Sequence, residues 1–250
     1  MASRYWVGGT ASWDGTAGSK WATTSGGAGG AAVPTSSDDV FFDAASGAVT
    51  VTVSASSFCN NIDFTGFTGT FTGTSSLTVT GNFTLAAGMT RSFTGSITFN
   101  ATSTGKQITL NGKTTDSSVT FNGSGGGWTV QDNWSNTTSS FTLSQGGLDT
   151  NGKTITGVSF SSTGSSVRSL TLGASTINLQ SFSLSSTNLT FSAGTSTINV
   201  TTATQPVFGG AGFTFNTVVL SAGANMSGAN TFATLTVDIC KICTCMIFVD

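Results

Sequence analysis

The chain contains no histidine, and all ten of its acidic residues are aspartate. Charged residues make up only 7% of the 250 positions, against roughly 25% in an average soluble domain. Each shortage removes a class of function. Without histidine there is no Ser–His–Asp or Cys–His arrangement, no His-ligated zinc and no ordinary proton shuttle near neutral pH. Eight Lys and Arg are spread along the chain and the formal net charge is −2, so no nucleic-acid surface is expected. Long hydrophobic runs are missing too. No stretch approaches 18 consecutive apolar residues, and no transmembrane helix or membrane insertion is expected. An outer-membrane barrel calls for alternating segments of about 10 residues between aromatic girdles, and the runs here are mostly shorter. Low charge also accompanies disorder, but 19 Phe and frequent Val, Ile and Leu supply enough apolar surface for a core.

What fills the space is glycine, 33 residues of it, together with serine and threonine. From about Gly47 onward the dominant unit is a short alternating run bounded by Gly, Asn or Ser. Val49-Thr-Val51-Thr-Val53, Leu77-Thr-Val79, Phe83-Thr-Leu85, Ile97-Thr-Phe99 and Ile108-Thr-Leu110 are examples. Val119-Thr-Phe121, Phe141-Thr-Leu143, Phe182-Ser-Leu184, Leu189-Thr-Phe191 and Phe213-Thr-Phe215 follow the same plan. Apolar residues at i and i+2 describe a strand with one buried and one wet face. Threonine suits the wet face because its β-branch favours extended backbone. No segment keeps helical spacing, and the chain is expected to be all-β.

The units recur. Leu170-Thr-Leu172-Gly173 returns as Leu189-Thr-Phe191 with Gly194, and Ser175-Thr-Ile177-Asn178 as Ser196-Thr-Ile198-Asn199, at offsets of 19 and 21. Asn111-Gly-Lys113-Thr114 returns as Asn151-Gly-Lys153-Thr154 at an offset of 40, two turns of about 20. Runs starting at Ile97, Ile108 and Val119 are evenly spaced at about half that period, so each turn should hold two or more strands. Imperfect copies at one period indicate a β-solenoid, a parallel β-helix in which coils stack and inward side chains align. The alternative is a β-sandwich of antiparallel hairpins, for which Asn-Gly at 111–112, 122–123 and 151–152 is suitable turn chemistry. The same dipeptides serve solenoid corners that need φ > 0. In-register copies favour the solenoid.

Three segments are distinguished: 1–46, 47–237 and 238–250. The first holds Trp6, Trp13, Trp21, the one Tyr and the Gly26–Gly30 segment. It reads as an aromatic-rich cap closing the open end of the solenoid, with a dedicated attachment module as the other reading. The last, Asp238 to Asp250, carries Cys240, Cys243 and Cys245 among apolar residues and matches nothing before it.

Two stretches resemble known proteins. Trp6-Val-Gly8-Gly9, Trp13, Lys20-Trp21, Val33-Pro34 and Asp38-Asp39-Val40 together resemble the opening of large β-helical surface and adhesin-like proteins. Gly126-Gly-Trp128-Thr-Val130-Gln-Asp132, Leu143, Gly147-Leu-Asp149-Thr-Asn151-Gly152-Lys153 and Arg168-Ser-Leu-Thr-Leu-Gly173 with Ser175-Thr-Ile177 are similar to repeats of phage-encoded, tail-fibre-like virion proteins. The likeness spans most of residues 5–237. It implies a phage appendage or capsid-surface protein and brings no active-site residues with it.

Each candidate site has a plainer role beside it. Cys240, Cys243 and Cys245 could bind zinc only with a fourth ligand such as Cys59; free thiols or interchain disulfides are the expectation, and no metal or cofactor is assigned. Asp132 and Asp149 are separated by close to one coil length, and Asp116 precedes Asp132 by a similar interval. They could stack on one face as glycosidase carboxylates, yet Asp beside Asn and Gly is ordinary turn chemistry. Asp38-Asp39 is likewise expected to be a turn rather than a calcium site. Lys113 and Lys153 are expected at solvated corners, and the sequons at Asn82 and Asn188 as chance products of a Ser/Thr-rich chain. The opening Met1-Ala-Ser-Arg-Tyr-Trp6 lacks a basic segment followed by an apolar one, so no secretory signal is expected. An extracellular surface chemistry without an export signal is reconciled by a virus particle released by lysis. The expectation is a non-enzymatic bacteriophage structural protein, a fibre or capsid decoration. Its expected partners are other virion subunits, host glycans and further copies of itself. A bacterial surface adhesin is the alternative, and a polysaccharide-cleaving tailspike a third.

Overall fold

The computed structural model describes residues 1–201, 206–221 and 223–238. Alternating Thr and apolar residues do form strands, and the strands wind into a three-sided parallel solenoid. Face A begins with Ser3–Trp6 and Asp39–Phe41 and climbs through Lys106–Thr109 to Leu189–Ser192. Face B runs from Ala11–Trp13 through Thr90–Phe93, and again from Trp134–Asn136 to Thr231–Val237. Face C runs from Ser57–Cys59 through Ile97–Phe99 and Ser181–Leu184 to Asn225–Ser227. A complete coil therefore contributes one strand to every face. Val119–Val130 and Phe141–Asp149 bend round the corner between C and A and serve both. Among the described ladders every pairing is parallel except that of Ser3–Trp6 with Trp21–Ala22. Antiparallel hairpins do not build this fold.

Parallel stacking explains the core. Leu77, Ile97, Val119, Phe141, Phe160, Phe182 and Phe208 occupy one inward column, each in register with the next. All are buried, in one continuous cluster reaching from Trp6 to Leu220. Rings stack along the axis, Phe99 on Phe121 at 5.2 Å and Phe160 on Phe182 at 5.6 Å. Burying such a side chain contributes about 1.5–3 kcal/mol, and a column repeats that gain in every coil. Trp6 and Trp13 pack edge-to-face on Trp21, which packs edge-to-face on Phe42, and all three tryptophans are fully buried at the first coil. This is the N-terminal aromatic cluster that the sequence announced.

The repeat spacing needs one revision. Leu170 pairs with Phe191, not Leu189, so this ladder advances by the same step as Ile177 to Ile198. The sequence copy that matches Leu170 to Leu189 is displaced by two positions from the true register. A slip of two preserves which face each side chain takes, so the sequence pattern alone could not reveal it. Asn111 and Asn151 do turn corners with φ of 50° and 51°, and Asn188 joins them at 53°. Each side-chain amide donates to a carbonyl one coil back: Leu85 at 2.7 Å, Val130 at 3.0 Å and Ser165 at 2.8 Å. Asn122-Gly123 differs. It lies inside a strand, at the register shift where the chain bends from C to A.

Candidate functional surface

Face C has the most regular exterior. Six tripeptides, Ser76-Leu-Thr78, Ser96-Ile-Thr98, Ser118-Val-Thr120, Ser140-Phe-Thr142, Ser159-Phe-Ser161 and Ser181-Phe-Ser183, lie one above another. Their central residues point inward and their flanking hydroxyls outward. The result is two parallel columns of hydroxyl groups, spaced about 4.8 Å between coils. The columns are tied internally: Ser76 Oγ donates to Ser56 Oγ at 3.0 Å and Ser159 Oγ to Ser140 Oγ at 2.8 Å. None of the six tripeptides carries a charge. The alternating runs by themselves do not mark the Ser column, although a Ser before each apolar residue was the available signal.

Face A carries amides and charges instead. Asp39, Asn61, Asn82 and Gln107 follow one another outward. Asn61 Nδ2 donates to Asp39 Oδ1 at 2.8 Å, Asn82 N–H to Asn61 Oδ1 at 2.7 Å and Gln107 N–H to Asn82 Oδ1 at 2.8 Å. Each side chain thus accepts from the coil above, in the manner of an extra rung. Asn82 of the first sequon is committed to this ladder and Asn188 of the second to its corner.

The individual carboxylates are placed by turn and ladder chemistry. Asp132 accepts the backbone N–H groups of Leu110 at 2.9 Å and of Asn111. Asp149 accepts Asn151 N–H at 2.8 Å and stands in register with Thr129 and Thr171. Asp116 accepts the Thr114 and Thr138 hydroxyls at 2.9 and 3.3 Å. Asp132 and Asp149 do not share a ladder row, so the stacked pair suggested by their spacing is not formed. Asp38 accepts Thr35 N–H, Thr35 Oγ1 and Ala2 N–H at 3.0, 2.8 and 3.2 Å, with Arg4 at 3.8 Å. Burial raises its pKa, but these donors outweigh burial and hold it below the usual carboxylate value. Lys113 and Lys153 lie in matching turns, their N–H groups bonded to Leu110 and Thr150 carbonyls.

Cys59 is fully enclosed, and burial, with Asp39 adding, pushes its thiol above the ordinary range. Cys240, Cys243 and Cys245 lie outside the described residues. Among the described residues no three His, Cys, Asp or Glu side chains gather in a metal-binding group, and no helix is long and apolar enough to cross a membrane.

Comparison with protein-family models, with curated proteins and with solved structures finds no match. The surface geometry alone therefore carries the functional reading.

Two arginines were missed in the sequence, because charge at an inward position is rarely anticipated. Arg91 is in register with Phe71 and Val51. It donates to the Thr114 carbonyl at 3.2 Å, the Thr115 carbonyl and Ser117 Oγ at 2.8 Å. Burial lowers its pKa to about 10, with Asp116 opposing. Arg168, 1% exposed, donates to Ser162 Oγ at 2.8 Å, the Ser166 carbonyl at 3.0 Å, and the Ser162 and Thr187 carbonyls. Both are structural clamps.

Proposed function

We propose that this chain is a non-enzymatic structural component of a bacteriophage particle, a fibre or capsid-surface decoration. It attaches to the host surface or to neighbouring virion subunits and acts as a homo-oligomer. One observation carries the reading: an uncharged double column of hydroxyls, held in register on a rigid parallel sheet. A hydroxyl both donates and accepts, so such a column matches other neutral, hydroxyl-rich surfaces without needing ion pairs. Each contact is weak. Repetition along one protomer, and again among several, raises the effective affinity. The absence of charge also spares the interface the desolvation of buried ions.

Two measurements test this. Mass spectrometry of virus particles purified from a culture carrying the gene should find the chain at fixed stoichiometry. Its recovery only in the cell envelope would transfer the same surface to an adhesin. Replacing Thr120 and Thr142 by Arg on the outside of face C should leave the fold intact and reduce particle attachment or incorporation at least tenfold. Unchanged attachment would remove face C from the interface.

A further inference from the structure

On face A the sheet has a dip that the attachment reading leaves unused. At two successive coils the outward residue is glycine, Gly127 in register with Gly147 and then with Ser169. Thr104 bounds the dip on one side and the row Thr129–Asp149–Thr171 on the other. The depression holds about 170 Å³, less than the roughly 300–1,000 Å³ of pockets for drug-sized ligands. Asp149 is the one charged residue that lines it. Its Oδ1 accepts Asn151 N–H at 2.8 Å, which fixes the carboxylate and leaves most of its acceptor capacity unused by that bond.

The fold does not demand these two glycines. Neighbouring Gly146 has a φ of 77°, and a Cβ there would meet the Gly123 carbonyl oxygen at 2.4 Å. Gly123 and Gly126 would strike the Ala101 carbonyl oxygen at 2.1 and 2.3 Å. Gly127 and Gly147 are absent from the positive-φ positions. A Cβ at Gly127 would first meet the Thr104 methyl at 3.2 Å, and one at Gly147 the Ser169 hydroxyl at 2.6 Å, both ends of side chains that can turn away. Strand positions of this kind ordinarily favour β-branched residues. Bare backbone here keeps the dip open.

We propose that this depression binds a single uncharged pyranose ring of a glycan. The inference names a ligand for the attachment reading and rests on it. The glycine floor lets a flat ring lie against the backbone. The Asp149 carboxylate accepts O–H donors from adjacent ring hydroxyls in short charge-assisted bonds. Thr104, Thr129, Thr171 and Ser169 supply hydroxyls that donate or accept as the sugar requires. A carboxylate outside both described ion pairs, Arg4–Asp38 and Lys20–Asp14, repels carboxylated and phosphorylated sugars, which selects for neutral ones.

Saturation-transfer NMR on the full chain tests this with the methyl glycosides of glucose, galactose, mannose and N-acetylglucosamine, and with sialic acid as the anionic control. At least one neutral glycoside should bind and sialic acid should not. Asp149→Asn should weaken binding about tenfold or more, the loss of one charge-assisted hydrogen bond. Gly147→Thr should abolish it with the melting temperature unchanged. Binding by none of the four, or binding indifferent to both substitutions, would overturn the site. If no glycoside binds while the Thr120 and Thr142 substitutions still impair attachment, the pyranose site falls and the attachment reading stands. Glycoside binding lost in both face A variants, in a chain missing from virus particles, leaves the site and removes the virion role.

Discussion

Asparagine and aspartate make the bonds that let one coil follow another. An Asn at a corner adopts positive φ more readily than most residues, and its amide then reaches a carbonyl of the coil below, as at Asn111, Asn151 and Asn188. Asp38 performs the corresponding service at the first coil by gathering Ala2, Thr35 and Arg4. Its folded pKa lies below the ordinary value of 3.8, so the fold prefers the ionised form. Stability from this group is present above that unfolded value and is lost as pH falls through the lower folded one. Thermal unfolding followed from mildly acidic to strongly acidic solution should therefore show a declining melting temperature at the acid end. Asp38→Asn should cost roughly 1–3 kcal/mol near neutral pH, the loss of hydrogen bonds to a charge, and should flatten part of that decline. An identical acid profile in the variant would contradict the assignment.

At the scale of elements, the weak point is the gap in face B. Between Thr90–Phe93 and Trp134–Asn136 the segment 114–117 pairs as no regular strand, and Asp116 sits at a φ of 42°. Side chains replace the missing ladder. Asn136 accepts Ser117 N–H at 3.1 Å and donates to its carbonyl at 2.9 Å; Trp134 Nε1 donates to Thr115 Oγ1 at 2.8 Å; Arg91 closes the gap from below. Removing Arg91 takes a cationic donor from the Thr114 and Thr115 carbonyls and the Ser117 hydroxyl at once and leaves Ser117 Oγ alone on the Thr115 carbonyl. Arg91→Ala should cost on the order of 3 kcal/mol in urea unfolding and make 114–117 the first site of limited proteolysis. Arg91→Lys should not restore stability, since an ammonium cannot span two carbonyls and a hydroxyl as the planar fork does. Wild-type resistance in Arg91→Ala would show that the clamp carries nothing.

For the molecule as a whole, the sequence made the class of fold legible through period-two alternation and a recurring interval near twenty. What it hid has a physical reason. Two or more strands per coil were legible but not the exact number, and in two coils Val119–Val130 and Phe141–Asp149 run unbroken round a corner that Gly-rich sequence disguises. The Leu170 register escaped because a two-position slip changes no face. Asp132 and Asp149 looked like a pair because their separation is near one coil, yet one lies beyond a strand end and the other within a strand. The tripeptides, four Ser–apolar–Thr and two Ser–Phe–Ser, were visible, but their meaning depends on all six standing in one line.

That alignment is the claim on which the rigid display face depends, and distances along face C test it directly. Spin labels would be placed pairwise at Thr78–Ser161, Thr78–Ser183 and Thr78–Ser227, with Cys240, Cys243 and Cys245 replaced by serine. Pulsed dipolar spectroscopy should return separations of roughly 19, 24 and 34 Å, a rise of about 4.8 Å for every coil. Separations that fail to increase in that order, or Ser183 closer to Thr78 than Ser161 is, would contradict the stacked solenoid and the uncharged face built on it.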